Sequence, residues 1–140
     1  MNKRVVQIKK ISDINSRSLR KGDDFEVIQY LDTGNITKNN IHNLQILKTE
    51  KDKIPSRAKR RVRKNTIIYS TVRPNQEHYG FLENPDNNLI VSTGFTTIDI
   101  IDKNIDPKFI YYLITQKQIT DYIHGIGINA TSSYPSIKPE

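Results

Sequence analysis

Apolar and polar positions alternate in short stretches over the first hundred residues. Phe25, Val27 and Leu31, with Tyr30, predict a part-buried strand over 25–31. Its bounds are the turn formers Lys21-Gly22-Asp23 and Asp32-Thr33-Gly34-Asn35, whose side chains tolerate positive φ or bond their own backbone. Ile41 to Leu47 reads as a weaker strand, and Ile54-Pro55 then biases the chain away from helix. Thr66 to Val72 is β-branched and aromatic, which predicts a buried strand ended by Arg73-Pro74-Asn75. Leu89 to Val91 and Phe95 to Ile101 predict two more, parted by Ser92-Thr93-Gly94 and preceded by a turn over Asn84 to Asn88.

Beyond residue 105 the period changes. Asp106 is placed to cap a helix with Pro107 at its first position. Ile110, Leu113, Ile114, Ile119, Tyr122 and Ile123 give an imperfect apolar stripe, ended by Gly125 and Gly127. Ala130 to Glu140 is rich in Ser, Thr and Pro, and no internal repeat is present. The pattern predicts an α+β fold: a single mixed α/β domain over 1–140, with a twisted, mainly antiparallel sheet and one main C-terminal helix.

The apolar content is thin for 140 residues. It is 35%, or about 39% with the 6 glycines counted, against roughly 45–50% in typical globular chains. Such a domain carries long polar loops or leaves surface for a partner to cover. No cysteine is present, which excludes disulfides and thiolate metal sites. The longest apolar run, Phe109 to Ile114, is too short to cross a bilayer, and the opening residues form no signal-peptide stretch. A soluble, cytoplasmic protein is expected.

Charge changes the picture more. The formal net charge is +7, and between Lys51 and Lys64 eight basic residues stand against Asp52 alone, so this stretch carries the whole excess. Within it, Arg57, Lys59, Arg60, Arg61, Arg63 and Lys64 occupy eight positions with no acid. Cations so close repel one another unless a polyanion neutralises them, and DNA phosphates do so with release of counterions. A solvated loop or helix face would show the same composition. Arg73, Asn75, Gln76 and His78 follow in a turn-rich stretch. Arginine pairs bidentately with guanine, and asparagine and glutamine pair with adenine, so Arg73, Asn75 and Gln76 are candidate base readers, although an ordinary hairpin loop fits equally. Thr131 and Ser133 offer hydroxyls for a further DNA-contacting loop.

The search for catalytic groups yields no set. Asp86 with Asp106 and Lys108 nominally matches a nuclease pattern, but that chemistry needs the second acid and the lysine on one strand. Pro107 lies between them and a helix follows. Asp106-Pro107-Lys108-Phe109 partly matches the loop of amino-methyltransferases, yet lacks the second proline and a preceding glycine-rich loop; a helix cap accounts for it better. His42, His78 and His124 are dispersed without acids at ligand spacing, so no metal site is expected. No glycine-rich phosphate loop with lysine is present. Tyr111 and Tyr112 fit helix packing better than base stacking.

Four segments together resemble a known family. They are Tyr30-Leu31-Asp32-Thr33-Gly34-Asn35-Ile36, Ile54-Pro55-Ser56-Arg57-Ala58-Lys59-Arg60, Ile67-Ile68-Tyr69-Ser70-Thr71-Val72-Arg73-Pro74-Asn75 and Val91-Ser92-Thr93-Gly94-Phe95. Their order and spacing, continued by a helix and Ser133-Tyr134-Pro135-Ser136-Ile137, resemble the target-recognition domain of type I restriction–modification specificity subunits. The resemblance implies a non-catalytic α/β unit that reads one half of a split DNA target. It implies docking with methyltransferase subunits and with a restriction subunit that translocates and cuts. S-adenosylmethionine, ATP and magnesium would belong to those partners. A second recognition domain or a copy of the chain itself is a further expected partner, because full specificity subunits carry two recognition domains separated by long helices. This chain ends where the first such helix is expected. An RNA-binding module, a small nuclease, and a domain that meets an acidic protein remain as alternatives.

Overall fold

Two β-branched runs, Thr66–Ser70 and Phe95–Ile100, pair with each other at the centre of the molecule because both faces of each are apolar enough to be buried. The computed structural model describes residues 8–119 and 121. In chain order the elements are α1 (Ile8–Ile11), β1 (Ser12–Ile14), β2 (Val27–Leu31), β3 (Ile36–Thr37), β4 (Asn40–Ile41), β5 (Gln45–Lys48), β6 (Ala58–Arg61), β7 (Thr66–Ser70), β8 (Tyr79–Leu82), β9 (Leu89–Ser92), β10 (Phe95–Ile100) and α2 (Pro107–Ile114). Short 3-10 turns cover Thr33–Asn35 and Pro74–Gln76.

The α+β class expected from the sequence is observed, but the strands divide between two four-stranded sheets. One runs β1-β10-β7-β8 and is antiparallel throughout; the other runs β5-β2-β9-β6, with β2 and β9 parallel. The physical reason is the two-residue turn Thr93-Gly94, which carries the chain from β9 in one sheet to β10 in the other. β3 and β4 form a separate hairpin. The single strand expected over 41–47 is therefore β4 and β5, parted by a loop.

Alternation along the strands builds three apolar layers. Leu31, Leu89 and Val91 of the second sheet meet Ile68, Leu82 and Phe95 of the first, with Ile36 of β3 between them. The outer face of the first sheet presents Ile67, Tyr69, Tyr79 and Ile98 to Ile11, Ile110 and Tyr111 of the helices. The outer face of the second sheet presents Ile28, Tyr30, Ala58 and Ile90 to Leu19, Phe25, Leu47 and Ile54. Loops rather than a helix supply most of that last layer, which accounts for the low apolar content.

Asp106 caps α2 as expected: its Oδ1 accepts from Lys108 N at 2.9 Å, with Pro107 in the first turn. The helix ends at Ile114, short of the predicted stripe, and Thr115 Oγ1 donates to Tyr111 O at 2.8 Å. Tyr122, Ile123, Gly125 and Gly127 lie outside the described residues. Tyr111 packs edge-on against Tyr79 with ring centroids 6.0 Å apart. Tyr112 corrects the expectation of helix packing, since it is 60% exposed. The sequence reading also missed α1, β1, β3, β6 and β8. In β6 only Ala58 is apolar, and the strand exists because it pairs with β9 on one side and meets residues 17–19 on the other.

Gly80 on β8 is a point of close approach. A Cβ there would collide with Ile36 Cδ1 and lie 3.1 Å from Asn39 Oδ1, and Ile36 is fully buried, so it cannot yield. Gly80→Ala is expected to destabilise the fold by about 1–3 kcal/mol in urea unfolding. Gly34→Ala meets nothing within 4 Å and should stay within about 0.5 kcal/mol of wild type. Equal stability of the two variants would contradict this packing. Burial pushes the phenols of Tyr79 and Tyr111 up to about 12, with Glu77 adding to the effect at Tyr79 and Tyr79 at Tyr111. Because the folded value lies above the unfolded one, the neutral phenols favour the native state fully below pH about 10. That contribution is lost as pH rises from about 10 toward 12. The unfolding midpoint should drop over that window, less steeply in Tyr111→Phe; parallel curves would exclude Tyr111 as a source.

Candidate nucleic-acid interface

Strand register decides which loops stand together. Leu31 pairs with Val91, Tyr30 with Gln45, Ala58 with Ser92, Phe95 with Ser70, and Tyr69 with Tyr79. The C-terminal ends of β2, β7 and β9 therefore lie at the same end of the two sheets as the beginnings of β5, β6, β8 and β10. The loops of that end are residues 32–44, including the β3–β4 hairpin, Arg57, residues 71–78, and Thr93-Gly94. Direct bonds knit them: Thr93 N donates to Arg57 O at 2.9 Å, Thr71 N to Gly94 O at 3.4 Å, and Lys38 N to Glu77 O at 2.9 Å. Gly94 lets Arg57 and Thr33 close over the turn, since a Cβ there would collide with Arg57 Nη2 and lie 2.8 Å from Thr33 Cγ2. All four segments that carry the family resemblance have residues in this cluster.

The basic run does not form one face, which corrects the expectation that its density made a single phosphate-gripping patch. It is largely the edge strand β6 and its flanks, where a register shift between Ala58 and Arg60 and the ion pairs of Arg61 and Arg63 place the cations in different surroundings. Arg57 stands at the loop-rich end, while Arg63 and Lys64 lie beyond the opposite end of the strand. Two of the six cations are held by the protein's own groups. Arg61 sits 3.4 Å from Asp23, donates to Asn87 Oδ1 at 2.9 Å and covers the ring of Phe25 at 5.4 Å. Arg63 lies 3.4 Å from the buried Asp99 and 3.7 Å from Asp13, and Asp99 also accepts from Thr66 Oγ1. Arg57, Lys59 and Lys64 are exposed and form no ion pair among the described residues. Arg60 is half-buried, its guanidinium shifted toward lower pKa by desolvation, and its buried Nε has no hydrogen-bond partner.

Acids are distributed unevenly as well. Within residues 12–100, the loop-rich end holds Asp32 and Glu77; Asp23, Asp24, Glu26, Glu50, Asp52, Glu83 and Asp86 flank the opposite ends of the strands. Both acids of the loop-rich end are occupied. Asp32 Oδ1 accepts from Thr33 N at 2.8 Å, and Glu77 lies 3.6 Å from Lys38 Nζ. A polyanion approaching this end meets Arg57 and Arg73, which form no ion pair among the described residues, beside the Lys38–Glu77 pair and the hydrogen-bonded Asp32.

Of the predicted base readers, Arg73, Asn75 and Gln76 all lie on the Pro74–Gln76 turn and its cap, and all three are exposed. The turn is rigid: Pro74 is buried, Gln76 N donates to Arg73 O at 3.0 Å and Glu77 N to Pro74 O at 3.1 Å. Arg73 and Glu77 hold φ of 49° and 60°, a left-handed conformation that costs about 1 kcal/mol or more in a residue with a side chain. His78 turns inward, its Nδ1 donating to Ile36 O at 2.6 Å. Thr131 and Ser133 fall outside the described residues. Asp86 accepts from Gln29 Nε2 and Asp106 caps α2, so the two acids of the nuclease-like pattern have separate structural partners.

Comparison with known proteins agrees with the resemblance and the fold class read from the sequence. The chain is 29% identical over 125 residues to the specificity subunit of the type I restriction enzyme HindI of Haemophilus influenzae, covering 87% of this chain and 27% of that protein. It thus spans about a quarter of that relative's length. The HsdS subunit from Thermoanaerobacter tengcongensis superposes with a TM-score of 0.74 at 21% identity, over 95% of this chain and 34% of that one. A chain from a structure of type I R-M complex assembly and conformational transition gives 0.77 at 22% identity, with the same coverage. No family model matches the chain.

The division of the basic run is open to test by stability. Arg63→Ala leaves the Asp99 carboxylate buried without its cation and should cost about 1–3 kcal/mol in chemical unfolding, the lower part of the range because Arg63 is itself 41% exposed. Lys64→Ala should change stability by no more than about 0.5 kcal/mol. Similar small effects for both would return Arg63 to the pool of free cations.

Proposed function

We propose that this chain, as a single domain over 1–140, is a target-recognition domain of a type I restriction–modification specificity subunit. It binds duplex DNA through the loop-rich end of its two sheets and reads sequence there. It catalyses nothing itself. Methyltransferase subunits and a restriction/translocase subunit, using S-adenosylmethionine, ATP and magnesium, act at the site that it selects. Among the described residues no helix is long and apolar enough to cross a membrane, and the cytoplasm is the proposed place of action.

The observation that carries the reading is the composition of one end of the fold. Guanidinium and amide side chains stand there on rigid turns, and the two carboxylates present are already bonded. The likeness to the specificity subunit of the type I restriction enzyme HindI supports the same assignment. Arg57, Lys59 and the half-buried Arg60 are the phosphate contacts of this reading; Lys64, expected among them from the sequence, stands at the opposite end of the strand, and Arg61 and Arg63 mainly hold the fold. The RNA alternative loses support because Tyr30, Tyr69, Tyr79 and Phe95 of the sheets are buried, and the partly buried Phe81 is packed against Tyr111 and Lys108.

Arg73→Ala should lower discrimination between target and single-base variants by about 1–3 kcal/mol, measured as the ratio of duplex dissociation constants. A loss equal on every sequence would remove Arg73 from the base readers. Arg57→Ala and Lys59→Ala should weaken all duplexes alike and reduce the slope of log K against log salt by about 1 each. Binding to single-stranded RNA that outcompetes duplex DNA would refute the assignment as a whole.

A further inference from the structure

No sequence feature singles out the β3–β4 hairpin, yet it is anchored on several sides. At its tip, Lys38 N donates to Glu77 O and Asn39 N to Tyr79 O, both at 2.9 Å, while Asn39 Oδ1 accepts from Phe81 N at 2.8 Å. At its base, His42 N donates to Asn35 O at 2.8 Å, and Asn35 Nδ2 donates to Asn43 O at 3.1 Å. Along its side it receives the bond from His78 Nδ1, and Ile36 is fully buried beneath it against Gly80. The hairpin and the Pro74–Gln76 turn are thereby one body.

Backbone strain gathers on that body. Of the seven residues other than glycine with positive φ among those described, Lys38, Asn39, Asn43, Arg73 and Glu77 belong to it or to its flanks. Strained conformations persist where surrounding contacts over-determine them, and they gather at ligand-contacting sites. Positive φ at Lys38 and Asn39 is what a two-residue hairpin turn requires, so the anchors to Glu77, Tyr79 and Phe81 are what set this hairpin apart from an ordinary surface loop. The side chains that the hairpin presents outward are Asn40, Ile41 and His42; Ile41 is 46% exposed. Asn40 and His42 form no side-chain hydrogen bond among the described residues.

We infer that the β3–β4 hairpin is a second base-reading element, in which Asn40 and His42 meet base edges beside those met by Arg73, Asn75 and Gln76. The inference rests on the proposed DNA-reading function. A two-stranded ribbon fits the major groove, and asparagine pairs with the N6 and N7 edge of adenine. Because the ribbon is held before DNA arrives, little ordering is lost on binding.

The test uses the full chain assembled with its methyltransferase subunits, acting on genomic DNA, with the methylated motif read by sequencing. The double variant Asn40→Ala/His42→Ala should relax motif positions other than those relaxed by Arg73→Ala. Preference at the relaxed positions should fall on the order of tenfold to a hundredfold. The double variant should unfold at the wild-type temperature, since neither side chain bonds the fold. An unaltered motif in the double variant beside a relaxed one in Arg73→Ala overturns the hairpin's role alone. An unaltered motif in both overturns DNA reading by this end of the fold, and the hairpin's role with it. Uniform weakening on every duplex assigns the hairpin to phosphates and likewise overturns base reading by it.

Discussion

The chain leaves one sheet at Ser92 and enters the other at Phe95, with Thr93 and Gly94 alone between them. Such a short crossing forces the two sheets to share an end. At Gly94 the amide donates to Ser92 Oγ at 3.1 Å, and the missing Cβ leaves room for the Arg57 and Thr33 side chains to lie close. The neighbouring loops then bond to this turn or to one another. The position of every candidate DNA contact, from Arg57 to Arg73, follows from this crossing and the strand register around it.

Electrostatics separate the two ends of the molecule. At the end away from the crossing, arginines and carboxylates are spent on each other, as in Arg61 with Asp23 and Arg63 with Asp99 and Asp13. Such partly buried pairs stabilise little relative to apolar packing, but removing one partner is costly, so they fix where β6 lies. Residues 17–19 bond to the outer edge of β6 and cover it there. At the crossing end the cations are left without internal partners beyond the loose Lys38–Glu77 contact. The same residue type thus does two jobs along one strand, decided by which acids the fold brings within reach.

Rigidity links this arrangement to recognition. Base discrimination needs donors held in place, because a mobile arginine or amide loses in ordering what it gains in hydrogen bonding. The buried Pro74, the anchored hairpin and the left-handed Arg73 and Glu77 meet that need by backbone bonds, leaving the outward side chains to the ligand.

What the sequence by itself determined is what local chemistry dictates. β-branched runs became β7, β9 and β10, Asp106-Pro107 became the start of α2, and the expected break between the last two strands became the turn Thr93-Gly94. Arg73, Asn75 and Gln76 were legible as exposed turn residues because proline and its neighbours mark turns at short range. Tertiary structure alone decided the rest. A strand such as Ala58–Arg61 has no apolar alternation of its own and forms only because β9 and residues 17–19 bond to it. The pairing of Arg63 with Asp99, and the meeting of Asn39 with Phe81, join residues far apart in the chain. Composition counts charges but not the distances between them; only the folded register turned a run of cations into two held arginines and a few free ones.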